Sequence, residues 1–254
     1  MEAGEVLAGA YRLLHPIGEG GMGRVWVAEQ IALERRVAVK ILSAELVGRD
    51  VGCELFEREA RATARVDHPH VVRVVDYAVT PEGVPFLVLE LLWGETLEER
   101  IQRSGPLALA DVRVLLDQTA DALAFAHEAG ILHRDIKAEN IFLQHRARPV
   151  IDVKLLDFGI AFQRARPMLH ATGIVGTPAY MAPEQINGAE VDERCDLFSL
   201  GVCAYYALTG EFPYRGDSVE QLVLSLSTGV FVPISKLRPD LPAGLDAGLA
   251  RAIA

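Results

Sequence analysis

The sequence predicts an α+β protein of two lobes, and three observations carry that expectation. From Tyr11 to about Leu92 the chain runs in short β-branched or apolar stretches broken by turn residues. After Trp93-Gly94 the apolar residues recur at helical spacing. The change falls on one short segment, Glu90-Leu91-Leu92-Trp93-Gly94, which reads as a hinge. A strand-rich first third and a helix-rich remainder make two segregated layers rather than an alternating α/β fold. The 254 residues allow one large domain or two small ones at roughly 150 residues per domain. The boundaries read as a leader over 1–10, a first lobe over 11–92 and a second lobe over 93–254.

In chain order, strands are expected at Val25-Trp26-Val27, at Val37 to Ile41, from Val71 to Tyr77 and from Phe86 to Leu89. One helix interrupts them: Leu55, Phe56, Glu59, Ala60 and Thr63 share a face, and the run stops before Asp67-His68-Pro69. In the second lobe a helix is expected over Asp111 to Ala129, with Val112, Leu115, Leu116, Thr119, Ala120, Leu123 and Ala126 inward. Gly130 follows, where a left-handed cap belongs. Short strands flank Asn140 and Asp157, a long loop follows, and a further helix covers Asp196 to Leu208.

Composition narrows the chemistry. Twenty-five basic residues against 35 acidic ones give a formal charge of −10, the wrong sign for a nucleic-acid binder that must displace counterions from phosphate. Cys53, Cys195 and Cys203 lack the spacing of a zinc site, and an odd number suits a disulfide framework poorly; free thiols are expected. No apolar run reaches the roughly 18–20 residues of a membrane span, and the N-terminus lacks a signal-peptide pattern, so the chain reads as cytoplasmic. Only Lys40, Lys137, Lys154 and Lys236 are lysines in an arginine-rich chain, so a position that keeps lysine is worth asking about.

Gly18-Glu19-Gly20-Gly21-Met22-Gly23-Arg24-Val25 is a glycine-rich loop. A dinucleotide fingerprint would run from strand into helix, whereas here Val25 and Val27 alternate as a strand. The pattern therefore reads as a strand–loop–strand flap whose backbone N–H groups approach phosphates closely. Lys40 ends an apolar strand, and if Ala38 faces a nucleotide then so does Lys40, two residues on. Its ammonium suits the α- and β-phosphates and needs a carboxylate to hold it. Glu59, four residues after Leu55 on the inward stripe, is preferred to Glu57, which falls on another face.

His133-Arg134-Asp135-Ile136-Lys137-Ala138-Glu139-Asn140 is followed, 22 residues after Asp135, by Asp157-Phe158-Gly159, and then by Ala182-Pro183-Glu184. With the glycine loop and Lys40, these ordered elements resemble the eukaryotic-type Ser/Thr protein kinases. The Gly-Thr-Pro-Ala-Tyr-Met-Ala-Pro-Glu-Gln string ending at Gln185 resembles their bacterial branch. The resemblance runs from about Tyr11 to the C-terminus and implies a bilobal kinase fold with ATP and Mg²⁺ as cofactors and protein substrates as partners.

Carried over residue by residue, the resemblance makes Asp135 the group that orients the substrate hydroxyl and accepts its proton. Lys137 would stabilise the transferring phosphoryl group, and Asn140 and Asp157 would ligate two Mg²⁺ ions, with Mn²⁺ able to substitute. Thr177 would bridge Asp135 and Lys137, and Asp-x-Lys marks the Ser/Thr branch. Around adenine, Ile17, Val25 and Ala38 form the roof and Phe142 the floor. Leu89 stands as gatekeeper, Glu90 offers its carbonyl, and Leu92 offers N–H and carbonyl. Ala138 departs from the usual proline but lies outside the chemistry. Between Asp157 and Glu184 the hydroxyl residues are Thr172, Thr177 and Tyr180. Thr172 is the phosphorylation candidate, with Arg134 as phosphate partner and a second copy of the chain as the encounter partner.

Two rivals belong to other classes. A catalytically dead scaffold would show decay at Lys40, Asp135, Asn140 or Asp157, and all four are present; a small-molecule phosphotransferase would lack the Ala-Pro-Glu element. The resemblance also implies a further helix or two past Ala254, with an arginine for Glu184. The chain is therefore expected to be a fragment whose second lobe lacks its last helices, its full-length form carrying a regulatory or membrane-tethering tail.

Overall fold

Turn chemistry and strand alternation over the first ninety residues produce one antiparallel sheet. In the computed structural model, which describes residues 1–20, 22–47, 50–145, 151–158, 178–216 and 218–253, the chain divides into two compact units, Met1–Trp93 and Gly94–Ala254.

The first unit holds β1 (Val6–Leu7), β2 (Tyr11–Gly20), β3 (Gly23–Gln30), β4 (Arg35–Leu42), β5 (Val74–Val79) and β6 (Pro85–Glu90), in the sheet order β1-β2-β3-β4-β6-β5. Alternate residues build its core: Leu13, Trp26, Ala28, Val37, Val39, Ile41, Phe86 and Val88 pack together, as period-two alternation requires. A short helix α1 (Ala44–Val47) leads into α2 (Asp50–Arg65), which carries Phe56 and Ala60 inward and packs against β5 and β6.

The residues set apart in the sequence as a leader are part of this unit. Leu7 is buried in the core and pairs opposite Tyr11 across a tight turn, Ala10 N–H to Leu7 C=O, 2.9 Å. Ala8 and Gly9 both take positive φ there, 46° and 69°. A two-residue strand carries too little periodicity to be read from sequence.

The second unit opens with β7 (Gly94–Thr96) and α3 (Leu97–Ser104). Thr96 caps the helix reciprocally with Glu99, Glu99 N–H to Thr96 Oγ1 at 3.1 Å and Thr96 N–H to Glu99 Oε2 at 2.8 Å. Helix α4 (Leu109–Glu128) follows and ends before Gly130 at φ 71°. It buries Val112, Leu115, Thr119, Ala122, Leu123 and Ala126. Ala120 faces solvent and Leu116 is half-buried, because the stripe rotates with the 3.6-residue turn and takes in Ala122 instead.

Strands β8 (Ile141–Gln144) and β9 (Val153–Leu155) complete a three-stranded sheet with β7. Then come α5 (Pro183–Ile186), α6 (Arg194–Thr209), α7 (Val219–Thr228), α8 (Ile234–Leu237) and α9 (Gly244–Ala252). Helix α6 is buried on nearly every side, the behaviour of a helix apolar all round. Gly201 makes room there for α9: a Cβ would stand 2.7 Å from Ile253 Cγ2 and 2.9 Å from Ala252 Cβ. Glu184 is half-buried rather than enclosed. Cys53, Cys195 and Cys203 are free thiols. Among the described residues, no helix is long and apolar enough to cross a membrane.

Candidate active site

In the first unit, strand register puts the expected nucleotide residues on one face. Val25 pairs with Lys40 and Val27 with Ala38, while Ala38 pairs with Leu89 and Lys40 with Leu87. Paired residues and their i±2 neighbours share a face, so Val25, Ala38, Lys40 and Leu89 line the face opposite the packed core. Ile17 is 51% exposed, and Leu92 and Glu90 are half-buried at the end of the unit. The Glu90 carboxylate accepts from Arg73 N–H at 2.8 Å.

The glycine loop is a hairpin rather than a strand-to-helix turn. Gly20 pairs with Gly23, and Ser43 N–H donates to Met22 C=O at 3.0 Å, tying the loop to the end of β4. Gly23 is required for packing: a Cβ there would fall on the Ile41 carbonyl. Glu19 and Arg24 face each other across the hairpin at 2.9 Å, both exposed, an ion pair worth little in water. Gly21 lies outside the described residues.

Lys40 Nζ meets Glu59 Oε1 at 2.7 Å, with the two side chains only 8% and 4% exposed. Glu57, the alternative, turns outward and pairs with Arg61 at 2.7 Å. A buried pair of this kind costs about 3–5 kcal/mol to break from one side, because the remaining group keeps its desolvation without its counter-charge.

In the second unit the expected catalytic groups Asp135, Lys137 and Asn140 gather on a loop. Asp135 Oδ2 receives Lys137 Nζ at 2.8 Å and Asn140 Nδ2 at 2.9 Å, and Asn140 Nδ2 also reaches Asp135 C=O at 2.8 Å. A single 3-10 turn over Ala138–Asn140, closed by Asn140 N–H to Lys137 C=O at 3.0 Å, provides this spacing. With its nitrogen turned onto Asp135, the Asn140 amide presents its oxygen elsewhere. Asp157 sits at φ 39° just past β9, and Leu156 N–H donates to Asn140 C=O at 2.9 Å. An amide oxygen and a carboxylate held on bonded neighbouring segments are hard donors, the kind Mg²⁺ accepts. Phe142, on β8, is half-buried opposite Thr96 and Lys154. Thr172 and Thr177 lie outside the described residues.

His133 is fully buried and stacks on Phe158, ring centroids 4.7 Å apart. Burial holds its pKa below the ordinary histidine value. Asp135 N–H donates to its Nδ1 at 3.3 Å, so the proton of the neutral ring is on Nε2, which donates to Leu156 C=O at 2.9 Å.

Asp196 has no place in the motif reading, yet it anchors this loop. Its Oδ2 accepts from His127 Nε2 at 2.8 Å and from His133 N–H at 2.8 Å, and its Oδ1 accepts from Arg134 N–H at 2.7 Å. Burial alone would raise its pKa; the His127 hydrogen bond and the backbone N–H groups of His133 and Arg134 outweigh that and hold the carboxyl below its usual value. A carboxylate opening an otherwise apolar helix was the available signal, since a charge so placed must find partners. Arg134 sits at φ 64°, and its amide bond to Asp196 helps to hold it there.

A family model of the protein kinase domain matches residues 11–238. Serine/threonine-protein kinase Pkn1 of Myxococcus xanthus is 41% identical over 251 residues, covering 98% of this chain and 36% of that protein. Serine/threonine-protein kinase PknA of Mycobacterium tuberculosis is 40% identical over 244 residues, covering 94% of this chain and 55% of its own length. The chain thus spans about a third to a half of these relatives. The crystal structure of the Mycobacterium tuberculosis PknI kinase domain matches with a TM-score of 0.76 at 28% identity, covering 100% of this chain and 91% of that one.

Proposed function

Because the chain belongs to the protein kinase family, we propose that it transfers the γ-phosphoryl group of ATP to serine and threonine hydroxyls of protein substrates. The observation that carries this reading is the arrangement on Asp135, where one carboxylate oxygen receives both the Lys137 ammonium and the Asn140 amide. A substrate hydroxyl bonded to that carboxylate is aimed at phosphorus and gives up its proton to Asp135 as the new P–O bond forms and ADP leaves. Lys137 neutralises charge on the moving phosphoryl group. Lys40, held by Glu59, neutralises the α- and β-phosphates, and the hairpin from Gly18 to Val25 covers them with backbone N–H groups. Ile17, Val25, Ala38, Leu89 and Phe142 contact adenine, with Glu90 and Leu92 supplying backbone hydrogen bonds.

Bound magnesium neutralises charge on the phosphate oxygens; the Asn140 amide oxygen and the Asp157 carboxylate would hold two ions, with manganese able to substitute. Thr177 would bridge Asp135 and Lys137 toward a Ser/Thr acceptor. Thr172 is the site at which one copy of the chain phosphorylates another, and Arg134 pairs with the phosphate it gains. Phosphopeptide mapping of active protein after incubation with ATP and Mg²⁺ tests this last point, and an unmodified Thr172 would refute it.

The reading as a whole is tested with γ-³²P-labelled ATP and myelin basic protein. Wild type should label the acceptor, and Asp135→Asn should reduce labelling at least a hundredfold. Equal labelling by the two would refute the assignment, and nucleotide binding without transfer would favour a scaffold.

A further inference from the structure

Gln185 stands one residue past the Ala-Pro-Glu element, and its side-chain amide is used at both ends. Ala182 N–H donates to Oε1 at 3.0 Å, and Nε2 donates to Arg134 C=O at 3.0 Å. The orientation of the amide is set by chemistry, since a backbone N–H can only donate and a carbonyl can only accept. Arg134 immediately precedes Asp135, and its peptide groups are therefore gripped from two directions: its N–H by Asp196 and its C=O by Gln185.

The bonds close a circuit. Asp196 and Ser199 lie three residues apart on one face of α6. Asp196 holds the Arg134 amide, and Ser199 Oγ donates to Tyr180 C=O at 2.7 Å. Tyr180 leads through Met181 to Ala182, where the Gln185 carbonyl oxygen takes the backbone N–H, and the Gln185 amide returns to Arg134. The other links are helix α6, the backbone from Tyr180 to Ala182, and bonds made by Asp196 and Ser199, which are 0% and 4% exposed. Gln185 is the one flexible side chain that closes it. Because Arg134 is held at a positive φ of 64°, which a non-glycine residue adopts only under constraint, opening the ring on the carbonyl side leaves that peptide with the longer Asp135 N–H to His133 Nδ1 bond of 3.3 Å and lets it tilt. Such a tilt shifts the Asp135 carboxylate against its Lys137 and Asn140 partners.

We propose that Gln185 is a positioning residue for Asp135, acting through the Arg134 carbonyl; this rests on the kinase reading given above. Gln185→Glu separates this role from simple helix capping. A carboxylate keeps the bond from Ala182 N–H and suits the start of a helix, but it has no donor for the Arg134 carbonyl and sets oxygen against oxygen. Gln185→Leu removes both bonds.

Initial rates of transfer from labelled ATP to myelin basic protein and hydrogen exchange decide it. Both variants are expected to lower kcat about tenfold, with KM for ATP unchanged. Peptides covering residues 131–137 should exchange faster in both. In an Asp135→Asn background, Gln185→Glu should cause no further loss, because the residue it positions no longer acts. Full kcat in Gln185→Glu, or the same tenfold loss on top of Asp135→Asn, would overturn the proposal. An inert wild type would overturn the kinase reading and the proposal with it, whereas an active wild type with an unaffected Gln185→Glu overturns the proposal alone.

Discussion

The two units hold their functional side chains by different means. In the first, Lys40 and Glu59 stand on a regular strand and a regular helix, and one buried ion pair of 2.7 Å joins them. In the second, Asp135, Lys137 and Asn140 stand on a loop with almost no repeating structure. That loop is held from below by Asp196, whose partners His133 and Arg134 lie 63 and 62 residues away in sequence. Regular elements position a side chain through register alone. A loop needs outside partners for its backbone, and those partners become as necessary as the groups they position.

The contrast predicts where single substitutions hurt most. Asp196→Ala leaves two backbone N–H groups and the His127 ring N–H without their acceptor, each costing about 1–3 kcal/mol when buried. The expected loss is about 5 kcal/mol, read as a fall of some ten degrees or more in Tm, together with loss of phosphoryl transfer. A fall of under about 1 kcal/mol by denaturant titration would show that the loop supports itself.

Lys40→Met ranks next. It leaves the buried Glu59 carboxylate without the Lys40 counter-charge. The expected cost is about 3 kcal/mol, with the fold retained by circular dichroism and transfer lowered at least a hundredfold. If Lys40→Met proved more disruptive to folding than Asp196→Ala, the contrast between the units would be reversed.

The same regularity explains how much could be read beforehand. Period-two alternation put Ala38 and Lys40 on one face, and helical spacing chose Glu59 over Glu57. The two-lobed α+β architecture followed from the switch of period near Trp93. For Asp135, Asn140 and Asp157 the expectation came from ordered motifs that resemble the protein kinases. Asp196 and Gln185 escaped because each holds a backbone group of Arg134 more than fifty residues away, and a backbone group leaves no mark in a sequence. β1 escaped because two residues carry no period. The rotation of α4 that exposes Ala120 was misplaced because alanine fits either face.

A smaller effect comes from pH. His133 has a folded pKa below the unfolded value of about 6.5, so below that pH the unfolded chain binds a proton that the folded chain refuses. The stability tied to its neutral state is full above about pH 6.5 and is lost as pH falls through that value. Between pH 7.5 and 5.5, wild type should therefore lose more stability than His133→Gln, although the variant starts lower. Parallel losses in urea titrations would mean that His133 takes up its proton without cost in the folded state.

The smallest effect lies at the β1–β2 turn, outside either site. Ala8 holds φ 46°, a conformation that asparagine tolerates better than alanine. Ala8→Asn should raise stability by about 0.5 kcal/mol and leave transfer unchanged. A lower Tm would show that the turn is unstrained.

The central claim is that the cluster on Asp135 directs phosphoryl transfer to serine and threonine. The most direct measurement is phosphoamino-acid analysis of an acceptor protein labelled by wild type and by Asp135→Asn. Wild type should yield phosphoserine and phosphothreonine, and Asp135→Asn should yield almost no label. Phosphotyrosine as the main product, or undiminished label from Asp135→Asn, would contradict it.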